Sequence, residues 1–287
     1  MIPGTFDYHR PSTVSEAVAM LGELGEDARV VAGGHSLIPM MKLRMAAPEH
    51  LIDLQDVAEL NFIEEKGGEI AIGAMVTQSA LIASDVIASS APILCDAALQ
   101  IADPQVRNLG TVGGNVANGD PGNDLPALMQ CLDAVYDIAG AGGTRQVSAR
   151  DFYEAAYFTA LEEGEIVTGV RFAAPKPGHG HAYEKQKRKV GDYATAAAAV
   201  IIEVDGGKCS HASVALTNVG DTPLYAENAS TALLKSSLDD AAIEEAVAAA
   251  RAITKPAADG RGPADFRTHV AGVMVRRAIE LARDRAS

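Results

Sequence analysis

Two pairs of adjacent glycines, each following an apolar segment, constrain what this chain can fold into more than any other feature. Gly33 and Gly34 follow residues 28–32 (ARVVA), which predict a buried strand, and His35 and Ser36 complete the turn. Paired glycines let a backbone approach a ligand closely, and Ser36 and the freed N–H groups can donate to phosphate oxygens. An ordinary Gly-Gly turn has the same sequence, so the first pair alone leaves both interpretations open.

The second glycine pair repeats this design. Thr111 and Val112 precede Gly113 and Gly114, and Asn115 adds a polar side chain that can bond phosphate. Two separate backbone loops of this kind could hold one pyrophosphate with little positive charge, which suits a chain of net charge −14. Neither segment is a G-x-G-x-x-G fingerprint and no G-x-x-x-x-G-K-[ST] occurs, so a Rossmann site and a P-loop are both disfavoured.

The order of predicted helices and strands indicates an α+β protein with two domains. The N-terminal domain is predicted to span residues 1–177, in two parts: a small βαβ unit over residues 1–57 and a mixed α+β unit over residues 58–177. Residues 178–287 are predicted to form a C-terminal domain that consists of an antiparallel sheet with helices.

The C-terminal prediction depends on a hairpin and two alanine-rich segments. Apolar runs at residues 196–204 and 209–217 flank the sequence Asp-Gly-Gly-Lys, which is typical of a tight turn between antiparallel strands. Residues 240–253 and 264–285 then have the composition of helices.

Charge and patterning exclude several classes of function. The chain is acidic, with a sequence pI near 4.9, and has no long basic run with an aromatic pattern, so we predict no nucleic-acid partner. It has no signal-peptide pattern at its start and no run of 18 apolar residues. We therefore predict a cytoplasmic protein.

The cysteines and histidines do not predict a metal site in this chain. Cys95, Cys131 and Cys209 lie too far apart for a Cys-x-x-Cys motif and are interpreted as buried thiols. An iron-sulfur cluster needs four ligands, so any such cluster must lie on another chain. His179 and His181 would share one face of a strand, but no carboxylate or cysteine beside them completes a metal site.

The second glycine pair lies in a longer segment that resembles a known family. Residues 101–118 (IADPQVRNLGTVGGNVAN), followed by residues 124–128 (DLPAL), resemble the second FAD-binding segment of the molybdenum hydroxylase flavoprotein family, which includes the flavin domain of xanthine dehydrogenases. Residues 32–36 (AGGHS) resemble the first such segment. The resemblance runs over essentially the whole chain, and it implies that the two loops bind the pyrophosphate of FAD.

The cofactor-binding residues that this resemblance implies come from both loops and from later parts of the chain. They are Ala32, Gly33, Gly34, His35, Ser36, Leu37, Ile101, Ala102, Thr111, Val112, Gly113, Gly114, Asn115, Asp124, Ile166, Lys185 and Tyr193. No residue of this chain is assigned a catalytic role.

Asp124 has two interpretations. The resemblance implies an acidic group near the ribose or adenine end of FAD, and a carboxylate is a good acceptor for ribose hydroxyls. The same residue could instead cap the helix that begins at Leu125 and Pro126. The sequence leaves both roles open.

Lys185 and Tyr193 are the predicted contacts of the isoalloxazine ring. Residues 183–193 match the family segment that lies near this ring. A cation there would favour the anionic reduced flavin, and Tyr193 could cover the ring face by aromatic stacking. A solvated basic strand is the competing interpretation.

The resemblance implies an oxidoreductase subunit that transfers electrons. Its expected partners are a small subunit with two [2Fe–2S] clusters and a large subunit with the molybdenum cofactor, assembled as a dimer of heterotrimers. The substrate would be oxidised on the large subunit, and an external acceptor such as a quinone or cytochrome would take the electrons. The complex could bring the protein to the inner face of the membrane.

Three alternatives stay open at this point. The complex could be a xanthine- or aldehyde-type hydroxylase, or the chain could be a self-sufficient flavin oxidase. It could also be a nucleotide-binding regulatory protein that needs phosphate turns but no ring contacts.

Overall fold

The computed structural model describes residues 2–287, and its first part is a small parallel sheet. The elements are strand β1 (Asp7–His9), helix α1 (Val14–Leu24), strand β2 (Ala28–Val31), helix α2 (Leu37–Lys42) and strand β3 (His50–Asp53). The strand order is β1-β3-β2, and both neighbouring pairs are parallel, so β2, α2 and β3 form the predicted βαβ unit.

The second part is a five-stranded antiparallel sheet with short helices. Its elements in chain order are β4 (Ile63–Lys66), β5 (Glu69–Gly73), α3 (Gln78–Ile82), α4 (Asp85–Ser90), α5 (Ile93–Ala98), α6 (Pro104–Arg107), α7 (Val112–Ala117), α8 (Asp124–Cys131), β6 (Val135–Gly140), β7 (Gly143–Ser148), β8 (Tyr153–Ala155), β9 (Phe158–Thr159) and β10 (Ile166–Ala173). The strand order is β4-β5-β10-β6-β7, while β8 and β9 form a separate pair. The apolar faces of these helices and of the sheet share one hydrophobic core.

The third part is a four-stranded antiparallel sheet with three helices. Its elements are β11 (Gly180–Gln186), β12 (Ala196–Asp205), β13 (Lys208–Thr217), β14 (Leu224–Tyr225), α9 (Glu227–Leu233), α10 (Asp240–Ala252) and α11 (Ala264–Arg285). The strands are ordered β11-β12-β13-β14. Gly206 and Gly207 form the predicted tight turn, with φ of 56° and 75°, because such a hairpin turn needs positive φ at both central positions.

Strand β12 is buried on both faces, which joins the C-terminal sheet to the rest of the molecule. Ala198 and Val200 pack in the core formed with the C-terminal helices, whereas Ala199 packs in the core of the second part. On the neighbouring strand β11, Ala182 belongs to the first of these cores and Tyr183 to the second. Because side chains alternate along a strand, Lys185 shares the face of Tyr183.

The α+β class predicted from the sequence is confirmed, with an antiparallel C-terminal sheet. Cys131 and Cys209 are buried as predicted, but Cys95 is partly exposed. Within residues 2–287, none of the helices has both the length and the apolar character that a membrane crossing requires.

Candidate cofactor site

A cavity of about 1150 Å³ is lined by residues from all three parts of the chain. This volume exceeds the roughly 300–1,000 Å³ of ordinary small-molecule pockets, so it has room for a large ligand. Among the predicted cofactor residues, those that line the cavity are Ala32, Gly33, Gly34, His35, Ser36, Leu37, Ile101, Ala102, Thr111, Gly113, Gly114, Asn115, Asp124, Ile166, Lys185 and Tyr193.

Val112 is the predicted residue that does not line the cavity. Its side chain is fully buried in the core of the second part, and its N–H donates to the carbonyl oxygen of Val76 at 2.8 Å. Val112 therefore packs in the core beneath the second glycine turn and does not face the cavity.

The structure brings the two predicted glycine turns into direct contact. A Cβ atom at Gly33 would lie 2.2 Å from the carbonyl oxygen of Leu109 and 2.8 Å from Cα of Gly110. A Cβ atom at Gly114 would lie 3.7 Å from Cβ of Ala32. Only glycine at position 33 allows the two backbones to approach this closely.

The first turn offers backbone donors to the cavity. Among the described residues, the N–H groups of Gly33, Gly34, His35 and Ser36 have no hydrogen-bond partner, and the Ser36 hydroxyl caps nothing at the start of α2. Gly34 has a φ of 72°, in the left-handed region that favours glycine. The turn therefore presents a row of free donors, which suits an anionic ligand.

The second turn differs, because its backbone donors are already used. The N–H groups of Gly113 and Gly114 donate to the carbonyl oxygen of Ala74 at 2.8 Å and to the hydroxyl of Thr111 at 3.0 Å. The N–H of Asn115 donates to the carbonyl oxygen of Thr111 at 3.1 Å. The backbone donors of the second turn are therefore not free as predicted, because Ala74 and Thr111 already accept from them. Contact between residues 113–115 and the cofactor stays a prediction.

One end of the cavity is rich in carboxylates. Strand β2 forms one wall, at about 3.3 Å per residue, and leads from the free donors of the first turn back to Glu26 and Asp27. Glu163 lines the same end, since it lies beside Gly25. These acceptors suit ligand hydroxyl groups.

A buried ion pair lies at another part of the cavity wall. The Lys185 ammonium donates to Oδ2 of Asp124 at 2.7 Å, and the two side chains are 1% and 6% exposed. The Tyr183 hydroxyl donates to Oδ1 of the same carboxylate at 2.5 Å. Burial raises the pKa of Asp124, and the Lys185 and Tyr183 donors oppose that rise. The solvated-strand interpretation of Lys185 is therefore wrong.

The capping interpretation of Asp124 is also wrong. Asn123 occupies the cap position of α8 without a side-chain cap bond, and Asp124 is the first helical residue. Because the Asp124 carboxylate lies 2.7 Å from the Lys185 ammonium, both must face the same part of a bound ligand. The prediction of Asp124 at the ribose or adenine end and that of Lys185 at the ring cannot both hold.

Tyr193 lies at the mouth of the cavity and is 43% exposed. A Cβ atom at Gly122 would lie 2.7 Å from its ring, and the Arg261 guanidinium lies 5.7 Å from the ring centroid. Burial and the nearby Asp120 carboxylate raise the pKa of Tyr193. The ring therefore has close neighbours in Gly122 and Arg261.

Gln78 lines the cavity and was not predicted. It is 2% exposed, its Oε1 atom has no partner among the described residues, and it lies against Gly110. No local motif marks it, because it reaches the site through the bridge between Thr77 and Thr111. The acidic residues of the carboxylate-rich end were missed as well.

Two protein-family models match the chain. "FAD binding domain in molybdopterin dehydrogenase" matches residues 4–175, and "CO dehydrogenase flavoprotein C-terminal domain" matches residues 181–282. The chain therefore belongs to the FAD-binding flavoprotein family of the molybdopterin dehydrogenases, which confirms the resemblance seen in the sequence. It is an oxidoreductase subunit that carries the FAD-binding domain of this family.

Within the family, residues 117–124 (ANGDPGND) and 192–197 (DYATAA) predict the medium subunits of aerobic carbon monoxide dehydrogenases as the most similar subgroup. The carbon monoxide dehydrogenase medium chain of Afipia carboxidovorans is 60% identical over 286 residues, covering 100% of this chain and 99% of that protein. The medium chain from Hydrogenophaga pseudoflava is 49% identical and covers 98% of each. The crystal structure of a cyanide-inactivated Cu,Mo-CO dehydrogenase contains a chain with a TM-score of 0.99, 60% identity and full coverage of both chains. These similarities confirm the predicted subgroup.

Proposed function

We propose that this chain is the FAD-binding electron-transfer subunit of a carbon monoxide dehydrogenase. The observation that carries the proposal is the cavity itself, which joins a row of free backbone donors to a carboxylate-rich end and to a buried lysine. The full-length similarity to two carbon monoxide dehydrogenase medium chains supports carbon monoxide as the substrate of the complex.

The residues present fit FAD part by part. The free N–H groups of residues 33–36 would hold the pyrophosphate, with help from the Ser36 hydroxyl. Carboxylates near Asp27 and Glu163 would accept hydrogen bonds from the ribose at the adenine end. Lys185 and Tyr193 would then face the isoalloxazine ring, so we favour the ring end for Asp124 as well.

FAD, when bound, supplies a redox group with one-electron and two-electron states. The residues of this chain would orient that group, exclude water from one side and set the charge beside it. Because Lys185 is paired with Asp124, the charge that it presents to the cavity is largely balanced. We assign no catalytic residue to this chain.

The reaction would take place on partner subunits. Carbon monoxide and water would yield carbon dioxide, two protons and two electrons at the molybdenum cofactor of a large subunit. The electrons would pass through two [2Fe–2S] clusters of a small subunit to this chain and then to a quinone or cytochrome. The three separate cysteines of this chain support clusters on a partner, and the complex would be a cytoplasmic dimer of heterotrimers.

A visible spectrum of the complex purified from its native source, before and after anaerobic addition of carbon monoxide, tests the proposal. We expect flavin and iron-sulfur absorption that both bleach. If a purine or an aldehyde bleached the absorption and carbon monoxide did not, the chain would still be an electron-transfer subunit, but the substrate of the complex would not be carbon monoxide. A complex without flavin would contradict the proposal altogether.

A further inference from the structure

Tyr183 lies behind the Lys185–Asp124 pair and does not reach the cavity. It is 3% exposed, and it shares a face of β11 with Lys185, two residues further along the strand. Its hydroxyl donates to Oδ1 of Asp124 while Lys185 donates to Oδ2, so each carboxylate oxygen has its own donor. Tyr183 thus contacts the carboxylate from outside the cavity.

We infer that Tyr183 is a positioning residue for the flavin: its hydroxyl keeps Asp124 ionised and turned towards Lys185, so that the ammonium charge beside the ring stays balanced. This inference rests on the proposed function, because it requires the ring to lie next to Lys185. It assigns Tyr183 a role through Asp124 and no contact with FAD.

Because Asp124 is buried, the loss of the Tyr183 hydroxyl should affect its ionisation. Asp124 is 4% exposed, and a carboxylate in such a position stays ionised only while its oxygens have donors. Without the Tyr183 hydroxyl, Oδ1 would lose the one donor that the structure gives it, and Lys185 alone would oppose the rise of the Asp124 pKa that burial causes. A neutral Asp124 would leave the positive charge of Lys185 without a balancing charge.

The other charged groups nearby make the local balance depend on Asp124. Lys185 and Lys187 both approach the carbonyl oxygen of Gln100, each at 3.4 Å. Burial and the Lys185 charge lower the pKa of Lys187, and Arg107 also lowers it, whereas Asp124 raises it. Asp124 is therefore the carboxylate that offsets a cluster of cations, and a neutral Asp124 would leave the ring beside excess positive charge.

The flavin midpoint potential in the complete purified complex tests the inference. In the Tyr183→Phe variant we expect FAD to be retained and the potential to shift to more positive values, because unbalanced positive charge favours the more negative reduced flavin. Tyr136→Phe is the matched control, because it also removes a buried hydroxyl, one that is hydrogen-bonded to Tyr153 at 2.7 Å. Tyr136 does not line the cavity. An unchanged potential in Tyr183→Phe would overturn the inference.

Asp124→Asn tests the same inference without a change at Tyr183. Removing the carboxylate charge should shift the potential in the same direction, and an unchanged potential would again overturn the inference, even if Tyr183→Phe fails to assemble. The double variant should match Asp124→Asn alone, because Tyr183 acts through Asp124. A further shift in the double variant would contradict that route. A wild-type complex without flavin would instead refute the proposed function.

Discussion

The two glycine turns look alike in sequence and behave differently in the structure. The first turn leaves four consecutive N–H groups, those of residues 33–36, without a partner among the described residues. In the second turn the N–H groups already donate within the protein: that of Gly113 to the carbonyl oxygen of Ala74, and that of Gly114 to the hydroxyl of Thr111. The first turn therefore has donors available for a ligand, whereas the donors of the second turn are already bonded within the protein.

The difference shows that a glycine pair next to a cavity can have two physical causes. Gly34 adopts a positive φ that other residues rarely adopt. At Gly113, by contrast, a Cβ atom would lie 2.5 Å from Cβ of Ala74, so glycine is needed for packing. Substitutions of the two turn hydroxyls, Ser36 and Thr111, should therefore separate cofactor affinity from stability.

The largest effect is expected for Gly33→Ala, which breaks the contact between the turns. The new Cβ atom would meet the backbone of Leu109 and Gly110, which cannot move as a flexible side chain would. We expect a loss of about 3 kcal/mol in the free energy of unfolding, with loss of bound flavin. Denaturant unfolding and the flavin-to-protein ratio measure the two effects.

Gly142→Ala is the control for this substitution, because a Cβ atom there would meet nothing within 4 Å. Its free energy of unfolding should stay within about 0.5 kcal/mol of wild type. Wild-type flavin content and stability in Gly33→Ala would contradict the close approach of the two turns.

Ser36→Ala should weaken FAD binding without a loss of stability. The Ser36 hydroxyl makes no cap bond, so the protein without FAD should unfold within about 0.5 kcal/mol of wild type. Hydrogen bonds to charged groups contribute about 1.5–3 kcal/mol, so FAD affinity should fall roughly tenfold or more. Titration of the flavin-free protein with FAD measures this change. Ser210→Ala, on the exposed side of β13, should leave the affinity unchanged.

Thr111→Val is expected to show the opposite pattern. The Thr111 hydroxyl accepts from Gly114 to begin α7, so its removal should cost about 1 kcal/mol in the free energy of unfolding. FAD affinity should change less than in Ser36→Ala, since this hydroxyl is already used by the protein. The same titration and unfolding experiments apply. If Thr111→Val lost affinity and kept its stability, the roles of the two turns would have to be exchanged.

The parts of the fold that depend on local pattern could be predicted from the sequence. The two-glycine turn at residues 206–207 and the bounds of helix α11 (Ala264–Arg285) agree with the structure. The residue types of the first turn also indicated its free donors, because glycine and serine after a buried strand have few local partners.

The pairings that shape the rest of the site could not be predicted, because they join residues far apart in the chain. Asp124 and Lys185 are 61 positions apart, and neither neighbourhood indicates the other. The packing role of Gly113 depends on Ala74, which only the folded sheet brings close. Gln78 has no motif of its own, and its position follows from a bridge to the second turn.

The smallest effect is expected for Gly114→Ala, which separates the two glycines of the second pair. A Cβ atom there would have one close neighbour, the Thr111 hydroxyl at 2.9 Å, and Gly114 has no positive φ. The crowding of that hydroxyl should be offset by the higher helix propensity of alanine, so we expect a change within about 0.5 kcal/mol. Gly113→Ala should lose about 1–3 kcal/mol in the same unfolding experiment, because its Cβ atom would meet the backbone of Ala74. Equal losses at both positions would show that the second turn is packed as a whole, and its exposed glycine would then need another explanation.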